Sequence, residues 1–335
     1  MGKLDLTDRD KAIAFRSTTQ PLITTWFVGE IPAYGSFTWL GGKPILTLFF
    51  EAELENGIPP NREVLPLLEA TKPPIQPTIC GTVPKFGQVT LERCARYNER
   101  TSHNFKSGRV NYELDFMPTT VWMGSPKNVA EKSVVSVTAS DTRLAGFFGL
   151  PSLKHYGPFD LDAKPIFNAL DQPEHVWALY KPYLDNVELG DTGWHLSVYS
   201  SPLESMSATE GHSVQTTVNI ALRAPQPTSI SEAIQYLARI EEIFSTFSIE
   251  AFTFQFEQYR TREHETVTLI WRLGENRSLF VAPMRHQILI NLQDEQTLRA
   301  VCKKWFLASL TVGLSRWLFV RALRETDDGL ARFVS

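Results

Sequence analysis

The sequence predicts an α+β fold. A large, mostly antiparallel, β-sandwich-like domain over residues 1–225 precedes a smaller α/β region with two long helices over residues 226–335. Through the first domain, short runs rich in β-branched and aromatic residues are separated by Gly and Pro, which is typical of strands and turns. At Pro225-Gln226-Pro227 the pattern changes to apolar residues spaced three and four apart, which predicts amphipathic helices. A chain of 335 residues is long enough for two domains.

The clearest turn signal lies between two predicted strands near the amino terminus. Strand-like residues 35–39 are followed by Gly41-Gly42 and then by strand-like residues 45–50. Glycine readily adopts the positive φ angles that a tight turn requires, so this segment is predicted to be a hairpin. Further strands are predicted at 24–28, 89–91, 134–139, 194–199 and 214–222, and the Pro-rich residues 56–85 are predicted to form a crossover or surface loop.

Residues 110–122 show the clearest strand alternation. Tyr112, Leu114 and Phe116 are spaced two apart, so they lie on one face of a strand. A slip of one residue in register would expose all three side chains. We therefore predict that they face the core of an antiparallel sheet.

The region after Pro227 begins with a helix signal. Ser229 and Glu232 have capping-box spacing. A second helical pattern runs over 297–324, and the strand-like segments 267–273 and 286–292 lie between the two helices. The predicted order is therefore helix, strand, strand, helix. The apolar positions of the first helix are Ile230, Ala233, Ile234, Leu237, Ile240, Phe244 and Phe247.

The charge and cysteine patterns narrow the class of protein. The net charge is −4 with a pI near 6.0, so we expect no broad nucleic-acid surface. Cys80, Cys94 and Cys302 are widely spaced and form no CxxC pair.

The charged amino terminus lacks the apolar core of a signal peptide, and we expect a cytoplasmic protein. The apolar stretch 305–320 is shorter than the ~18 residues that a membrane span needs.

Catalytic and metal-binding motifs give no positive signal. The sequence has no G-x-S-x-G, no phosphate-binding P-loop, no G-x-G-x-x-G and no H-E-x-x-H. The seven histidines are dispersed, and Glu263-His264-Glu265 is predicted to be a turn between strands. We expect neither a metal nor a cofactor, and the sequence identifies no catalytic residue.

One basic segment has a spacing found in a nuclease family. Arg96 and His103 are separated by six residues, which matches the R-x4-6-H pattern of HEPN ribonucleases. That pattern lies in a helical bundle, whereas these residues are predicted to lie between a strand and a polar loop over 98–109. With Arg100, Lys106 and Arg109, they define either a solvated loop or a small anion-binding site.

Aromatic residues in the predicted strands allow two interpretations. Trp26, Tyr34, Trp39 and Trp194 could form a platform for a glycan or a base. Aromatic residues in strands also fill cores and pair across hairpins, which is the interpretation that we favour.

The order of several motifs resembles the amino-terminal domain of ApeA-like proteins, which are bacterial anti-phage defence factors. The motifs include Trp26-Phe27-Val28-Gly29, Gly35-Ser36-Phe37-Thr38-Trp39, Val121-Trp122-Met123-Gly124 and Ile243-Phe244-Ser245-Thr246-Phe247-Ser248. In that family the domain is followed by a HEPN domain, the presumed ribonuclease. The residues 329–335 resemble the start of its first helix, so the nuclease half is expected to be absent from this chain or encoded separately.

The resemblance implies a sensor or regulatory module of an abortive-infection system, which recognises a phage component and controls a HEPN ribonuclease. A HEPN-domain protein or a second copy of the chain is the expected partner, and catalysis is not assigned to this chain by itself. The expected interface includes Trp305, Trp317 and Phe319 in the carboxy-terminal helix, because that helix is apolar on more than one face. Two alternatives stay open at this stage: a nuclease that uses Arg96 and His103, and a glycan-binding β-sandwich.

Overall fold

The structure is a computed structural model whose strands are mostly antiparallel, which confirms the predicted fold class. It describes residues 8–54, 65–104, 108–124, 129, 132–141, 143–145, 153–154, 182–207, 211–248, 252–273 and 295–307. The helices are α1 (Asp8–Arg16), α2 (Pro66–Ala70), α3 (Ile230–Ser248) and α4 (Glu295–Leu307). The strands are β1 (Leu22–Val28), β2 (Ile31–Leu40), β3 (Lys43–Glu53), β4 (Ile79–Val83), β5 (Gly87–Glu92), β6 (Ala95–Asn104), β7 (Arg109–Met117), β8 (Thr120–Met123), β9 (Ser133–Asp141), β10 (Leu153–Lys154), β11 (Pro182–Glu188), β12 (His195–Ser207), β13 (Gly211–Ser229), β14 (Phe256–Thr261) and β15 (Thr266–Arg272).

The chain divides into two compact units. Unit one comprises residues 1–132 and 258–275, and unit two comprises residues 133–257 and 276–335. Strand β14 begins at the end of unit two and continues into unit one. In unit one the strands are ordered β14-β15-β8-β5-β4-β1-β2-β3-β7-β6, and in unit two β11-β12-β13-β9, with β10 also paired to β13.

The position where the chain first passes from unit one to unit two does not coincide with the change in sequence pattern near Pro225. The first change falls at Ser133, and Pro225 lies inside β13. The pairing of β13 with β9 is irregular between Arg223 and Thr228, and a strand tolerates prolines at such a break in its ladder. The boundary near Pro225 therefore stays a prediction about independently folding domains.

The hairpin and the alternating strand of unit one are as the sequence predicts. Strands β2 and β3 pair from Tyr34↔Phe49 to Leu40↔Lys43, and Gly41 and Gly42 between them both have positive φ. In β7 the three alternating residues are buried at 2% exposure or less, which confirms their inward orientation. They are Tyr112, Leu114 and Phe116.

Trp26 is a fully buried residue at the centre of unit one. A Cβ on Gly81 of β4 would lie 2.6 Å from the Trp26 ring, and one on Gly35 of β2 would lie 2.8 Å from it. Both neighbouring strands therefore need glycine where the indole crosses them. The Trp26 ring also lies 6.1 Å from the ring of Phe37.

Helix α1 packs on the same core. Phe15 is fully buried and stacks on Phe37 at 5.3 Å. The Arg16 Nε atom donates a hydrogen bond to the Ile270 carbonyl at 2.6 Å, and Nη2 donates to the Leu269 carbonyl at 3.0 Å. The pairing of β15 with β8 is irregular at these residues, so the arginine satisfies carbonyls at a break in the ladder.

Unit two is built on the long β12–β13 hairpin and on helix α3. The predicted cap of α3 is confirmed, because the Glu232 backbone N–H donates to the Ser229 hydroxyl at 3.2 Å. The apolar stripe of the helix faces the unit's interior. Its buried apolar residues are Ile230, Ala233, Leu237, Ile240, Ile243 and Phe244.

A buried ion pair holds the segment that follows α3. The Asp141 carboxylate is fully buried and accepts two hydrogen bonds from the Arg143 guanidinium, at 2.8 and 2.5 Å. It also accepts the Gln255 backbone N–H at 3.0 Å, while the same guanidinium donates to the Thr253 carbonyl. Thr253 and Gln255 of this extended segment are thus both held by the same ion pair.

Two side chains of α3 complete the attachment of this segment. The Phe254 backbone N–H donates to the Glu241 carboxylate at 2.9 Å, and the Phe252 backbone N–H donates to the Ser245 hydroxyl at 2.9 Å. Glu241 is 1% exposed. These backbone groups have no strand ladder to satisfy them, so the side chains take that role.

We expect Asp141→Ala to lower the free energy of unfolding by about 3–5 kcal/mol, because the Arg143 charge, whose side chain is only 12% exposed, loses its partner. The control is Asp185→Ala, which removes an exposed carboxylate and should change stability by less than about 0.5 kcal/mol. Urea denaturation of both variants measures the difference. Equal stability of Asp141→Ala and the unmodified protein would contradict the assignment.

Candidate functional site

Arg100 and His103 lie on β6 and Arg109 begins β7, so the prediction of a loop is wrong for residues 98–104 and for residue 109. Residues 95–104 form β6, which pairs with β7 from Ala95↔Met117 to Asn104↔Arg109. Strand β6 ends the order of the described strands in unit one. An edge strand can carry polar residues on both faces, which removes the alternation that would reveal it in the sequence. Lys106 lies outside the described residues.

The strand places the predicted basic residues on different faces of the sheet. Arg96 and His103 pair opposite inward-facing residues of β7, whereas Arg100 pairs opposite the outward-facing Glu113. At about 3.3 Å per residue, the seven positions from Arg96 to His103 span roughly 20 Å. The structure therefore does not bring Arg96 and His103 together.

On the outer face, one carboxylate organises the polar side chains of three strands. Asp115 is 6% exposed and accepts hydrogen bonds from the Thr47 hydroxyl at 2.7 Å and the Asn98 amide at 2.8 Å. The Arg100 Nη2 atom donates to both Asp115 oxygens, at 3.2 and 3.3 Å, and its Nε atom lies 3.0 Å from a Glu113 oxygen. We call Thr47, Asn98, Arg100, Glu113 and Asp115 the charged sheet face.

The other two arginines of the predicted set are also paired with carboxylates. Arg109 Nη1 donates to Glu51 Oε2 at 2.7 Å, and both side chains are about half exposed. Arg96 lies 3.8 Å from Glu99 and donates to the Thr71 hydroxyl at 3.3 Å. An anionic ligand would therefore compete with a carboxylate already in place at each of these arginines.

The aromatic residues singled out in the sequence have different environments. Trp26 and Trp194 are at most 1% exposed, which confirms the core interpretation for both. Trp39 is half-buried, and its indole N–H donates to the Phe15 carbonyl at 2.8 Å. Tyr34 is 58% exposed on the outer face of β2.

An aromatic stack in unit two was not anticipated from the sequence. The Trp194 and Tyr236 rings stack at 4.4 Å with an interplanar angle of 21°, and the Tyr236 and Phe306 rings stack at 5.8 Å with an angle of 7°. The Arg239 guanidinium lies 5.8 Å from the Tyr236 ring centre and 5.7 Å from that of Phe306. Tyr236 and Arg239 are three apart on α3, a spacing that could have indicated a shared helix face.

The predicted interface is described only in part. Trp305 is half-buried on α4, next to Phe306, which is 7% exposed. Leu307 at the end of the helix is 55% exposed. Trp317 and Phe319 lie outside the described residues, as does the carboxy-terminal half of the helix predicted over 297–324.

The three cysteines are free thiols in different environments. Cys80 is half-buried, and Cys94 and Cys302 are buried. Burial raises the pKa of Cys302 to about 12 and raises the pKa of Cys94 well above its ordinary value. Within the described part of the chain, no three His, Cys, Asp or Glu side chains converge as a metal site requires. No described helix is long and apolar enough to cross a membrane.

These features define a β-rich chain of two units. One unit carries the charged sheet face, and the other carries the aromatic stack against which α4 packs. A family model described as ApeA N-terminal domain 1 matches residues 23–305, and the chain belongs to this family. Comparisons with curated proteins and with solved structures gave no significant match.

At pH 8 we expect a thiol reagent to modify Cys80 first, and Cys94 and Cys302 only when the protein opens. With a pKa of about 12, roughly one Cys302 thiol in ten thousand is ionised at that pH. Because burial raises the pKa of Cys302 from 9.0 to about 12, the free energy of unfolding falls as the pH rises from about 9 to about 12. Mass spectrometry of labelled peptides measures the order, and equal rates at all three cysteines would contradict it.

We expect Asp115→Ala to lower the free energy of unfolding by about 2–4 kcal/mol, because three donors lose their shared acceptor. Glu51→Ala removes a more exposed ion pair on the same sheet and should cost less than about 1 kcal/mol. Urea denaturation compares the two variants. Equal losses would show that Asp115 does not organise the charged sheet face.

Proposed function

We propose that this chain is the sensor and regulatory module of a bacterial anti-phage system of the abortive-infection type. It recognises a phage component and controls a HEPN ribonuclease in the cytoplasm. The observation that carries the proposal is the match of residues 23–305 to ApeA N-terminal domain 1, because ApeA-like proteins are anti-phage defence proteins. In such proteins this domain is paired with a HEPN domain, which supplies the toxic activity.

The end of α4 supports the proposed contact with the HEPN partner. Trp305 is half-buried and Leu307 is 55% exposed, so apolar surface is present where the described part of this helix ends. Large exposed apolar side chains commonly mark protein–protein contacts. With Trp317 and Phe319, these residues are the proposed docking surface for a HEPN domain, and a second copy of the chain is the other candidate partner.

The outer face of the sheet in unit one supports the proposal that the recognised phage component is a protein. Arg100 and Arg109 are both exposed, yet each is paired with a carboxylate on the same sheet. Such a balanced surface does not favour a phosphate backbone. Tyr34 and Phe27 are 58% and 43% exposed on neighbouring strands of the same sheet, and aromatic residues and arginines are both enriched at protein interfaces. The proposed recognition site comprises this face, with Arg96 and His103 of the edge strand and Lys106 as further candidates.

The docking surface is tested with the full chain, tagged and co-expressed with the HEPN-domain protein of the same system. The amount of HEPN protein that co-purifies with the double variant Trp317→Asp, Phe319→Asp should fall about tenfold or more below that of the unmodified chain. The reason is that charged groups replace apolar contact area. Leu40→Asp is the matched control, since Leu40 is 68% exposed at the β2–β3 turn of unit one.

Phage plaque counts on the same strains test the biological role. The unmodified chain and Leu40→Asp should restrict the phage, and the double variant should not. Failure of the unmodified chain to retain any HEPN protein, or equal restriction by cells that lack the chain, would overturn the proposal.

A further inference from the structure

Helix α4 is attached to unit two along a single stripe. Its buried residues Leu298, Cys302 and Phe306 are spaced four apart, so they share one face of the helix. Lys303, Lys304 and Leu307 are exposed. Helix α3, by contrast, buries the six apolar residues named above and also the polar residues Glu241 and Ser245. Elements with few buried apolar contacts open at lower free energy than the core, and α4 has this character.

The end of α4 rests on two features of unit two. The first is the aromatic stack, in which Tyr236 lies between Trp194 and Phe306 while Arg239 lies near both Tyr236 and Phe306. Trp194 is the last residue of the turn that connects β11 to β12 and is 1% exposed. The stack therefore joins that turn to α3 and α4.

The second feature is the turn itself, residues 189–194. Gly190 has φ +61°, and a Cβ at this position would lie 3.3 Å from Leu307 Cδ2 and 3.5 Å from Phe306 Cβ. The Cβ atom alone would be a tight contact, and a side chain that extends beyond Cβ would press on the end of α4. The turn is held by a hydrogen bond from the Thr192 hydroxyl to the Leu189 carbonyl at 2.7 Å.

We infer that α4 is a latch: a helix that undocks from the 189–194 turn and the aromatic stack as one unit, while the sheet and α3 of unit two stay folded. The inference rests on the proposed function for its biological meaning, because the latch would link the state of unit two to the partner bound beyond Leu307. The undocking itself does not depend on that function.

Two glycines of one turn provide a matched pair of variants. Gly190→Asn places a side chain against the end of α4, and asparagine tolerates positive φ better than most residues. Gly193→Asn makes the same change in the same turn at φ +72°, but its Cβ would meet Pro225 at 3.1 Å and not α4. Both variants strain the turn, and only the first acts on the latch.

The readout is the rate of thiol labelling of Cys302, a residue on the buried face of α4. Cys94 of unit one is the internal control. Gly190→Asn should raise the Cys302 rate by about tenfold or more, and Gly193→Asn should change it by less than about twofold. Cys94 labelling should be unchanged in both. Equal Cys302 rates in the two variants, or a rise at Cys302 matched by Cys94, would overturn the latch.

A second pair tests the stack. Tyr236→Ala should raise the Cys302 rate, and Tyr236→Phe, which keeps the ring, should restore it to within about twofold of the unmodified protein. Hydrogen exchange of the α3 amides must stay unchanged in both variants. An α3 that exchanges as fast as α4 would show that the two helices open together, and the inference would fail.

The partner experiment separates the latch from the proposed function. Retention of the HEPN protein should differ at least about fivefold between Gly190→Asn and Gly193→Asn. If the unmodified chain retains no HEPN protein, the proposed function fails while the labelling result still decides the latch. If both variants retain it equally although Cys302 labelling differs, the latch opens without regulating this partner, and its regulatory role is overturned.

Discussion

The buried Asp141 carboxylate is the constraint on which the arrangement of unit two depends. It binds Arg143 and the backbone of the segment after α3, so a charge in the core is neutralised and held by directed hydrogen bonds. Glu241 of α3 binds the same segment at the Phe254 backbone N–H. The position of α3 is therefore fixed relative to the end of β9, and α3 in turn carries the Tyr236 ring on which α4 rests.

The elements that could be predicted from the sequence are those with a local signal. Gly41 and Gly42 readily adopt the positive φ angles that a tight turn requires, and the turn then brings its flanking strands together in one register. In β7, alternation alone selects the buried face, because a slip would expose Tyr112 and its neighbours. The start of α3 is likewise marked by Ser229, whose hydroxyl accepts a backbone N–H of the first turn.

The remaining features depend on residues far apart in the sequence. Strand β6 resembled a loop because its polar residues satisfy one another across β7 and β3, as Asn98, Asp115 and Thr47 do. No local pattern shows that an arginine in such a segment already has a carboxylate partner. The aromatic stack was missed for the same reason, since it joins Trp194 to Phe306 through a third element.

The free energy that docks α4 on unit two is of the size that a binding partner could offset, as the proposed latch requires. Burying an apolar side chain stabilises by about 1.5–3 kcal/mol, so Leu298, Cys302 and Phe306 together offer several kcal/mol against the entropy of ordering the helix. Reversing a two-state population from 1:99 to 99:1 takes a differential of about 5.5 kcal/mol. A partner that covers the same stripe, or one that recognises only the docked end, can supply a difference of that size. A helix buried on all sides could not be shifted by one contact, and a helix with no stripe would have no docked state to regulate.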